Sequence, residues 1–216
     1  MGTPVDDRPA PPPGVPQAED LDIRARLTHE EFQAVAEAAR WAPSIHNSQP
    51  WLLRRLPDGI GVREDLTRSL PVIDPFGRDR TISCGAALLN ARTAMRALGH
   101  LPSVEVLPDP GDPTVIGVAR STGYRPPAPG DLALHRLMPY RRTHRRVYRS
   151  HVIAEDDLLD LRHVVAGEGA RLNVADNATR RQLVDVLRRA VRSQAADTEL
   201  RREVDSWVRR GPSGSR

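Results

Sequence analysis

Residues 42–51 read APSIHNSQPW and lie between an amphipathic stretch and a strand-like run, so they predict a helix-to-strand connection. We name this segment the 42–51 loop. Its two prolines, Pro43 and Pro50, fix φ and stiffen the backbone. Its serine, histidine, asparagine and glutamine side chains offer donors and acceptors of short reach, and connecting loops concentrate binding residues. Ordinary polar turns have a similar composition. The loop alone therefore predicts either a binding segment or a simple turn.

The sequence on either side of the loop predicts a helix and then a hairpin. Thr28, followed three residues later by Glu31, is typical of a capping box that opens a helix. Apolar residues then recur at helical spacing, and the helix is expected to end near Trp41, just before a proline. After the loop, two strand-like runs at 51–56 and 60–63 flank Pro-Asp-Gly, a hairpin pattern.

The middle of the chain predicts a helix and two further strands. A polar loop at 64–80 precedes residues 81–99, which are apolar nearly all round and stop at a glycine, so they predict a central buried helix. Strands are expected at 104–107 and 114–119. The segment between these strands is rich in proline and aspartate, which predicts a turn rather than a crossover connection.

The remainder of the chain repeats the alternation of helix and strand. A proline-rich link at 124–130 is followed by a predicted helix at 152–165, opened by three acidic residues at its positive end. We expect a strand at 170–175. A long arginine-rich helix at about 179–208 is expected to break near residue 196.

Composition limits the classes of protein that this chain can be. It has 216 residues, with 32 basic and 28 acidic side chains, and every basic residue is arginine. The formal charge of +4 gives only a weak attraction for anions. The single Cys84 rules out an intrachain disulfide and a cysteine-based zinc site, and no histidine pair has metal-ligand spacing. No apolar run is long enough for a membrane span, and the N-terminus lacks a signal-peptide pattern, so we expect a cytoplasmic protein.

A second motif, RRTHRR at 141–146, concentrates four arginines, and we name it the Arg box. The planar guanidinium fork matches phosphate geometry, and Thr143 adds a hydroxyl donor. The N-terminus of the following helix adds a further positive end. A solvated basic linker and a nucleic-acid contact are the alternatives. Only Tyr140 and Tyr148 lie beside the arginines, so base stacking is poorly supported and nucleic-acid binding is disfavoured.

Taken together, the two motifs resemble those of the FMN-dependent nitroreductase family. The 42–51 loop matches Ala-Pro-Ser-x-x-Asn-x-Gln-Pro-Trp, and the Arg box is similar to Arg-x-Ser-x-Arg. Their order is reversed here, as in the Acg-type nitroreductase-like subfamily, in which two degenerate halves are fused in one chain. Three further segments strengthen the resemblance: Asp74-Pro-x-Gly-Arg78, Ile82-Ser-Cys-Gly85 and Glu-x-x-x-Trp-x-Arg at 203–209. Members of that subfamily are longer, so the chain is expected to be short at its C-terminus.

The resemblance implies an α+β fold of the nitroreductase type, with an antiparallel sheet core flanked by helices and a central buried helix. We expect residues 1–20 to be a disordered proline-rich tail, because they offer few large apolar side chains. Residues 21–130 would form the first nitroreductase-like half and residues 131–216 the start of a second, incomplete half. An unfinished half leaves apolar surface and strand edges uncovered, which predicts self-association.

The resemblance also implies an FMN-binding oxidoreductase that passes hydride from NAD(P)H, through the flavin, to a nitroaromatic or quinone-type acceptor. Because the flavin carries the redox chemistry, no catalytic side chain and no metal are expected. By resemblance, Pro43, Ser44 and Asn47 would meet the ring and its polar edge, whereas Gln49 would order the loop. The phosphate and ribityl oxygens would be held by Arg141, Arg142, Thr143 and Arg145.

Several alternatives remain open at this point. The chain could bind or sequester flavin without turnover, or use the Arg box as an anion or nucleic-acid-binding module. Arg78 and Arg80 could place positive charge near the flavin, although a surface ion pair with Asp74 or Asp79 is favoured. Cys84 lies near a predicted helix N-terminus, which lowers a thiol pKa, but its apolar neighbours favour simple burial.

Overall fold

The computed structural model describes residues 25–149 and 152–207, so the predicted tail at 1–20 lies outside the described residues. The chain divides into two compact units: the first comprises the described residues up to Arg141 together with Ser206 and Trp207, and the second comprises Arg142–Asp205. The division into halves at residue 130 stays a prediction, because compactness alone does not identify related halves. The helices and strands are α1 (His29–Arg40), β1 (Trp51–Leu56), β2 (Gly59–Glu64), α2 (Arg78–Ala97), β3 (His100–Val106), β4 (Val115–Tyr124), α3 (Pro129–Leu137), α4 (Glu155–Gly167), α5 (Asn177–Ala196) and α6 (Thr198–Trp207).

The first unit contains a four-stranded sheet in the order β1-β2-β4-β3, and every neighbouring pair is antiparallel. The β1–β2 hairpin pairs Trp51 with Glu64 and Leu56 with Gly59, as its Pro-Asp-Gly pattern predicted. Strand β4 then lies between β2 and β3, so β1 and β3 are the two edges. The predicted α+β class with an antiparallel sheet core is confirmed.

Helix α2 is the centre of the core, as predicted. It packs against α1, against all four strands and against α3. Small buried residues, Ala87, Ala91 and Ala94, allow its backbone to approach these neighbours closely, while Leu88 and Met95 fill the remaining volume. Its partners contribute the buried apolar side chains Val35, Ala38, Ala39, Ile60, Val62, Ile116 and Ala119. Burial of this apolar surface is the main stabilising term for the unit.

The predicted capping box at the start of α1 is confirmed. The Thr28 hydroxyl accepts a hydrogen bond from the Glu31 backbone N–H at 3.1 Å, and the Glu31 carboxylate accepts one from the Thr28 N–H at 2.8 Å. Two N–H groups that the helix leaves unpaired are thereby satisfied. The helix ends at Arg40, with Trp41 as its C-terminal cap, so both predicted ends are correct.

We expect Thr28→Ala to lower the free energy of unfolding by about 1 kcal/mol, because the alanine removes the acceptor for the Glu31 N–H. Urea denaturation monitored by circular dichroism measures this change. Thr28→Ser keeps the hydroxyl and is the matched control. A Thr28→Ala variant as stable as the Ser variant would contradict the capping role.

Two segments have a different kind of secondary structure from the one that the sequence predicted. Residues 170–175 form no strand; this prediction was wrong, because the described part of the second unit, residues 142–149 and 152–205, contains no strand to pair with it. Helix α3 was missed: the proline-rich segment was expected to be only a link. Pro129 occupies its first turn, and Asp131 accepts a hydrogen bond from the Ala128 N–H at 3.3 Å. The predicted helix break near residue 196 is confirmed at Asp197, between α5 and α6.

Candidate functional site

The 42–51 loop connects α1 to β1 and contains a single 3₁₀ turn, Ile45–Asn47. Three residues that are not glycine have left-handed backbone: His46 at φ 47°, Asn47 at φ 56° and Gln49 at φ 48°. Asparagine and histidine tolerate this region better than most residues, whereas glutamine rarely adopts it. Such conformations cluster where function fixes the backbone. The loop is therefore an ordered and strained connection rather than an ordinary polar turn.

Side chains within the loop hold its own backbone. The Ser44 hydroxyl accepts a hydrogen bond from the Gln49 N–H at 3.0 Å, and the Gln49 side-chain amide donates to the Arg40 carbonyl at 3.3 Å. The Gln49 contact is the kind expected if that residue orders the loop. Ser44 is the acceptor in its bond, so this bond leaves its hydroxyl hydrogen available to another acceptor.

Two neighbouring elements contact the loop from outside it. The Ile45 N–H donates to the Ser83 hydroxyl of α2 at 3.3 Å, and Arg68, in a 3₁₀ turn after β2, donates from Nη1 to the Ser48 carbonyl at 2.8 Å. Both partners lie far from the loop in sequence. The conformation of the loop is thus tied to the tertiary structure of the first unit.

An open surface cavity of about 350 Å³ lies between the loop and the first turns of α2. The loop contributes Pro43, Ser44 and Ile45 to its lining, and α2 contributes Asp79, Ile82, Ser83 and Ala86. Two of the predicted cofactor residues, Pro43 and Ser44, therefore line a cavity, and Asn47 is exposed in the same loop. The lining combines apolar walls with hydroxyl groups and one carboxylate, a mixture typical of small-molecule sites.

The N-terminus of α2 beside this cavity is fixed by a buried polar cluster. Asp74 accepts a hydrogen bond from the Arg80 N–H at 2.8 Å. The Glu64 carboxylate of β2 accepts from Arg80 Nε at 2.9 Å and from the Thr81 hydroxyl at 2.6 Å. The expectation that Arg80 forms a surface ion pair with Asp74 or Asp79 was wrong, because its side chain turns inward to Glu64, which is 7% exposed. Glu64 was not among the residues predicted from the sequence.

Cys84 lies one turn further along α2 and is fully buried. Its Sγ lies 3.1 Å from the Pro50 carbonyl, to which the thiol donates. Burial, and to a smaller extent the negative charge of Glu64, raises the pKa of this thiol to about 12, against an opposing effect of Arg80. Of the two interpretations left open for Cys84, simple burial therefore prevails over activation by the helix N-terminus.

The raised pKa of Cys84 predicts a pH dependence of stability. From about pH 9 to pH 12 the thiol ionises in the unfolded chain but stays protonated in the folded protein, so the unfolded state binds fewer protons and stability falls as pH rises. The slope from this group approaches about 1.4 kcal/mol per pH unit. Urea denaturation between pH 8 and pH 11 should show a steeper decline for the wild type than for Cys84→Ala. Parallel declines would contradict the assignment.

The Arg box lies in an exposed segment, 141–149, without regular secondary structure. Arg141 belongs to the first unit, whereas Arg142, Thr143 and Arg145 belong to the second. The rings of His144 and Tyr148 lie 4.7 Å apart within this segment. The structure thus gathers Pro43, Ser44 and Asn47 in one loop and the four Arg-box residues in one segment. That both sets bind the same cofactor stays a prediction.

The N-terminus of the helix that follows the Arg box, which was expected to help bind phosphate, carries acidic side chains. Helix α4 begins at Glu155, and Asp156 and Asp157 complete three consecutive carboxylates in its first turn. These negative charges interact favourably with the helix dipole and repel an approaching anion. Any phosphate held here would depend on the arginines and Thr143.

Within residues 25–149 and 152–207, no cluster of three or more histidine, cysteine, aspartate or glutamate side chains is arranged to hold a metal ion. No helix in that same part of the chain has both the length and the apolar character needed to cross a bilayer.

Comparison with known proteins gives three relatives from Mycobacterium tuberculosis (strain ATCC 25618 / H37Rv). The chain is 32% identical over 180 residues to "Putative NAD(P)H nitroreductase Rv3131", covering 82% of this chain and 51% of the relative. It is 37% identical over 87 residues to "Putative NAD(P)H nitroreductase acg", covering 40% and 26%. It is 30% identical over 168 residues to "Uncharacterized protein Rv3127", covering 72% and 48%.

No protein-family model matches the sequence. The chain spans about half the length of Rv3131 and Rv3127. The alignment with Rv3131 nevertheless covers most of this chain, and the α+β architecture around a central buried helix is consistent with a nitroreductase-like fold. Over most of its length the chain is therefore similar to a protein named as a putative NAD(P)H nitroreductase.

Proposed function

We propose that this chain is an FMN-binding oxidoreductase of the nitroreductase family, of the Acg type with two fused halves. The observation that carries the proposal is the 42–51 loop, which is held in a strained, defined conformation and lines a cavity with Pro43 and Ser44. The similarity to relatives named NAD(P)H nitroreductase supports the same conclusion. Bound FMN would supply the redox chemistry, transferring hydride from NAD(P)H to a nitroaromatic or quinone-type acceptor.

The residues on both segments have the chemistry that FMN requires. Pro43 provides an apolar wall for the ring system, and the Ser44 hydroxyl and Asn47 amide provide short donors for its polar edge. The phosphate carries a charge that the arginine forks match in geometry and sign. Under the proposal these forks come from Arg141, Arg142 and Arg145, with Thr143 adding a hydroxyl.

No side chain near the loop is proposed as a catalytic acid, base or nucleophile. The one cysteine is buried and holds its proton well above neutral pH, so it is a poor nucleophile. The role of the protein would be to bind the cofactor, orient it and exclude water from part of its surface. The electron acceptor, self-association and a cytoplasmic location remain predictions.

The test is NAD(P)H oxidation by protein reconstituted with FMN under anaerobic conditions, with nitrofurazone or menadione as acceptor. We expect oxidation that requires protein, FMN and acceptor together. Tight FMN binding without any oxidation would overturn the enzymatic part of the proposal and favour a flavin-sequestering protein instead. Failure of the folded protein to bind FMN would overturn the proposal as a whole.

A further inference from the structure

The strain in the 42–51 loop requires an explanation from outside the loop. Left-handed backbone is unfavourable for residues other than glycine, and it persists only where the surroundings fix it. Three of the four residues from His46 to Gln49 have this backbone. The internal bond between Ser44 and Gln49 closes the loop but does not attach it to the rest of the unit.

Ser83 of α2 attaches one side of the loop. It is 4% exposed, and its hydroxyl donates to the Asp79 carbonyl one turn earlier at 2.6 Å. A serine hydroxyl has one hydrogen, so this bond leaves Ser83 Oγ only as an acceptor. The group that uses it is the Ile45 N–H, at the first position of the 3₁₀ turn. The bond to Asp79 within α2 thus fixes the orientation of the Ser83 hydroxyl independently of the loop.

Arg68 attaches the other side. Its Nη1 donates to the Ser48 carbonyl at 2.8 Å, and its Nε lies 3.3 Å from Asp65 Oδ2. Asp65 is fixed in turn by two bonds from Thr67, at 3.0 Å from the N–H and 2.6 Å from the hydroxyl. The Asp65 N–H also donates to the Pro50 carbonyl at 3.0 Å, which joins this turn to the end of the loop.

These two bonds hold the loop at the start of its 3₁₀ turn and just after the end of that turn. Ser83 holds the amide that begins the turn, and Arg68 holds the carbonyl of the single residue between left-handed Asn47 and Gln49. Of the residues proposed to meet the flavin, Asn47 lies between these two points and Ser44 comes immediately before the first of them. A loop that is not held must lose conformational freedom when it binds, and this cost appears as weaker affinity.

We propose that Ser83 and Arg68 are positioning residues, which hold the 42–51 loop from two sides in the conformation that presents Ser44 and Asn47 to the cofactor. This inference rests on the proposed function, because it concerns the same site. Neither residue needs to touch the flavin. They raise the population of the binding-competent loop, and the apparent dissociation constant is inversely proportional to that population.

The first measurement is amide hydrogen exchange without flavin, in Ser83→Ala and Arg68→Ala. The N–H groups of Asn47, Ser48 and Gln49 are all bonded within the loop, so their exchange reports its opening. We expect exchange to accelerate about fivefold in Ser83→Ala, because a neutral hydrogen bond is lost. It should accelerate about tenfold in Arg68→Ala, because the lost bond is charge-assisted and therefore stronger. Amides in the β2–β4 ladder should be unchanged.

The second measurement is FMN affinity by quenching of flavin fluorescence. We expect the dissociation constant to rise in each variant by the factor by which the closed fraction of the loop falls, and the exchange rates relative to an unprotected amide give that fraction. Ser83→Thr keeps the hydroxyl and should restore both readouts. Arg120→Ala removes an arginine from an exposed pair with Asp58 and is the matched control for lost charge.

The outcomes separate the inference from the proposed function. Loop exchange that is unchanged, or that rises only together with the β2–β4 amides, would show that the two residues do not hold the loop and would overturn the inference. An FMN affinity that does not fall by the ratio of closed fractions obtained from the exchange rates would also overturn it, while the proposed function would stand. A wild-type protein that binds no FMN would overturn the proposed function and, with it, the positioning role.

Discussion

Arg145→Ala is expected to weaken FMN binding by about tenfold to a hundredfold. Under the proposed function the Arg145 guanidinium donates to the phosphate, and a hydrogen bond between charged groups contributes about 1.5–3 kcal/mol. Arg145 is exposed in the Arg box, so its removal should leave the folded structure intact. Isothermal titration calorimetry with FMN measures the change. Riboflavin, which lacks the phosphate, should bind wild type and variant with equal affinity.

The matched control for Arg145→Ala is Arg189→Ala, which removes the same charge from an exposed position on α5. If only the overall positive charge mattered, FMN binding would weaken equally in both variants. The difference in FMN affinity from the wild type would then disappear at high salt. We expect Arg189→Ala to bind FMN like the wild type. Equal FMN affinities for Arg145→Ala and the wild type would contradict the phosphate assignment.

Glu64→Ala is expected to lower the free energy of unfolding by about 3 kcal/mol. Glu64 is 7% exposed and Arg80 is 19% exposed on their side chains, and the two form an ion pair at 2.9 Å. Removing one partner of a buried pair leaves the other charge without compensation, which costs about 3–5 kcal/mol. The partial exposure of Arg80 places the expected cost at the lower end. The Thr81 hydroxyl loses its acceptor as well.

Two control variants test whether the loss of stability in Glu64→Ala comes from the burial of its ion pair. Glu37→Ala breaks the exposed pair with Arg40 on α1 and should cost less than about 0.5 kcal/mol. Glu64→Gln keeps the shape of the side chain and an acceptor for Thr81, so it should cost less than Glu64→Ala. Thermal and urea denaturation give the three values. A Glu64→Ala variant no less stable than Glu37→Ala would contradict a stabilising role for the cluster.

Local sequence patterns predicted the elements whose ends are set by local chemistry. The Thr28–Glu31 capping box and the Pro-Asp-Gly hairpin need only residues close in sequence, and both are confirmed. Strand β3 was expected to begin at Val104 but begins at His100. The observed strand includes Pro102, although proline cannot donate to a sheet ladder. The sheet order makes β3 an edge strand, where a proline is tolerated.

Local sequence patterns could not predict the contacts that shape the candidate site. The Glu64–Arg80 pair joins residues 16 positions apart, and the Ile45–Ser83 bond joins residues 38 positions apart. Both depend on how α2 packs against the hairpin and the loop. The left-handed backbone of the loop is likewise set by these tertiary contacts and not by the residue types alone. The motif composition could indicate a binding loop, but not what holds it in place.

Retention of FMN by the folded chain is the decisive measurement. The purified chain would be mixed with excess FMN, desalted, and its absorbance spectrum recorded between 300 and 550 nm, with circular dichroism to confirm folding. Our account predicts that the flavin bands stay with the protein in near-stoichiometric amount, and that heating releases FMN, identified by chromatography. A folded protein that retains no flavin after desalting would contradict the account.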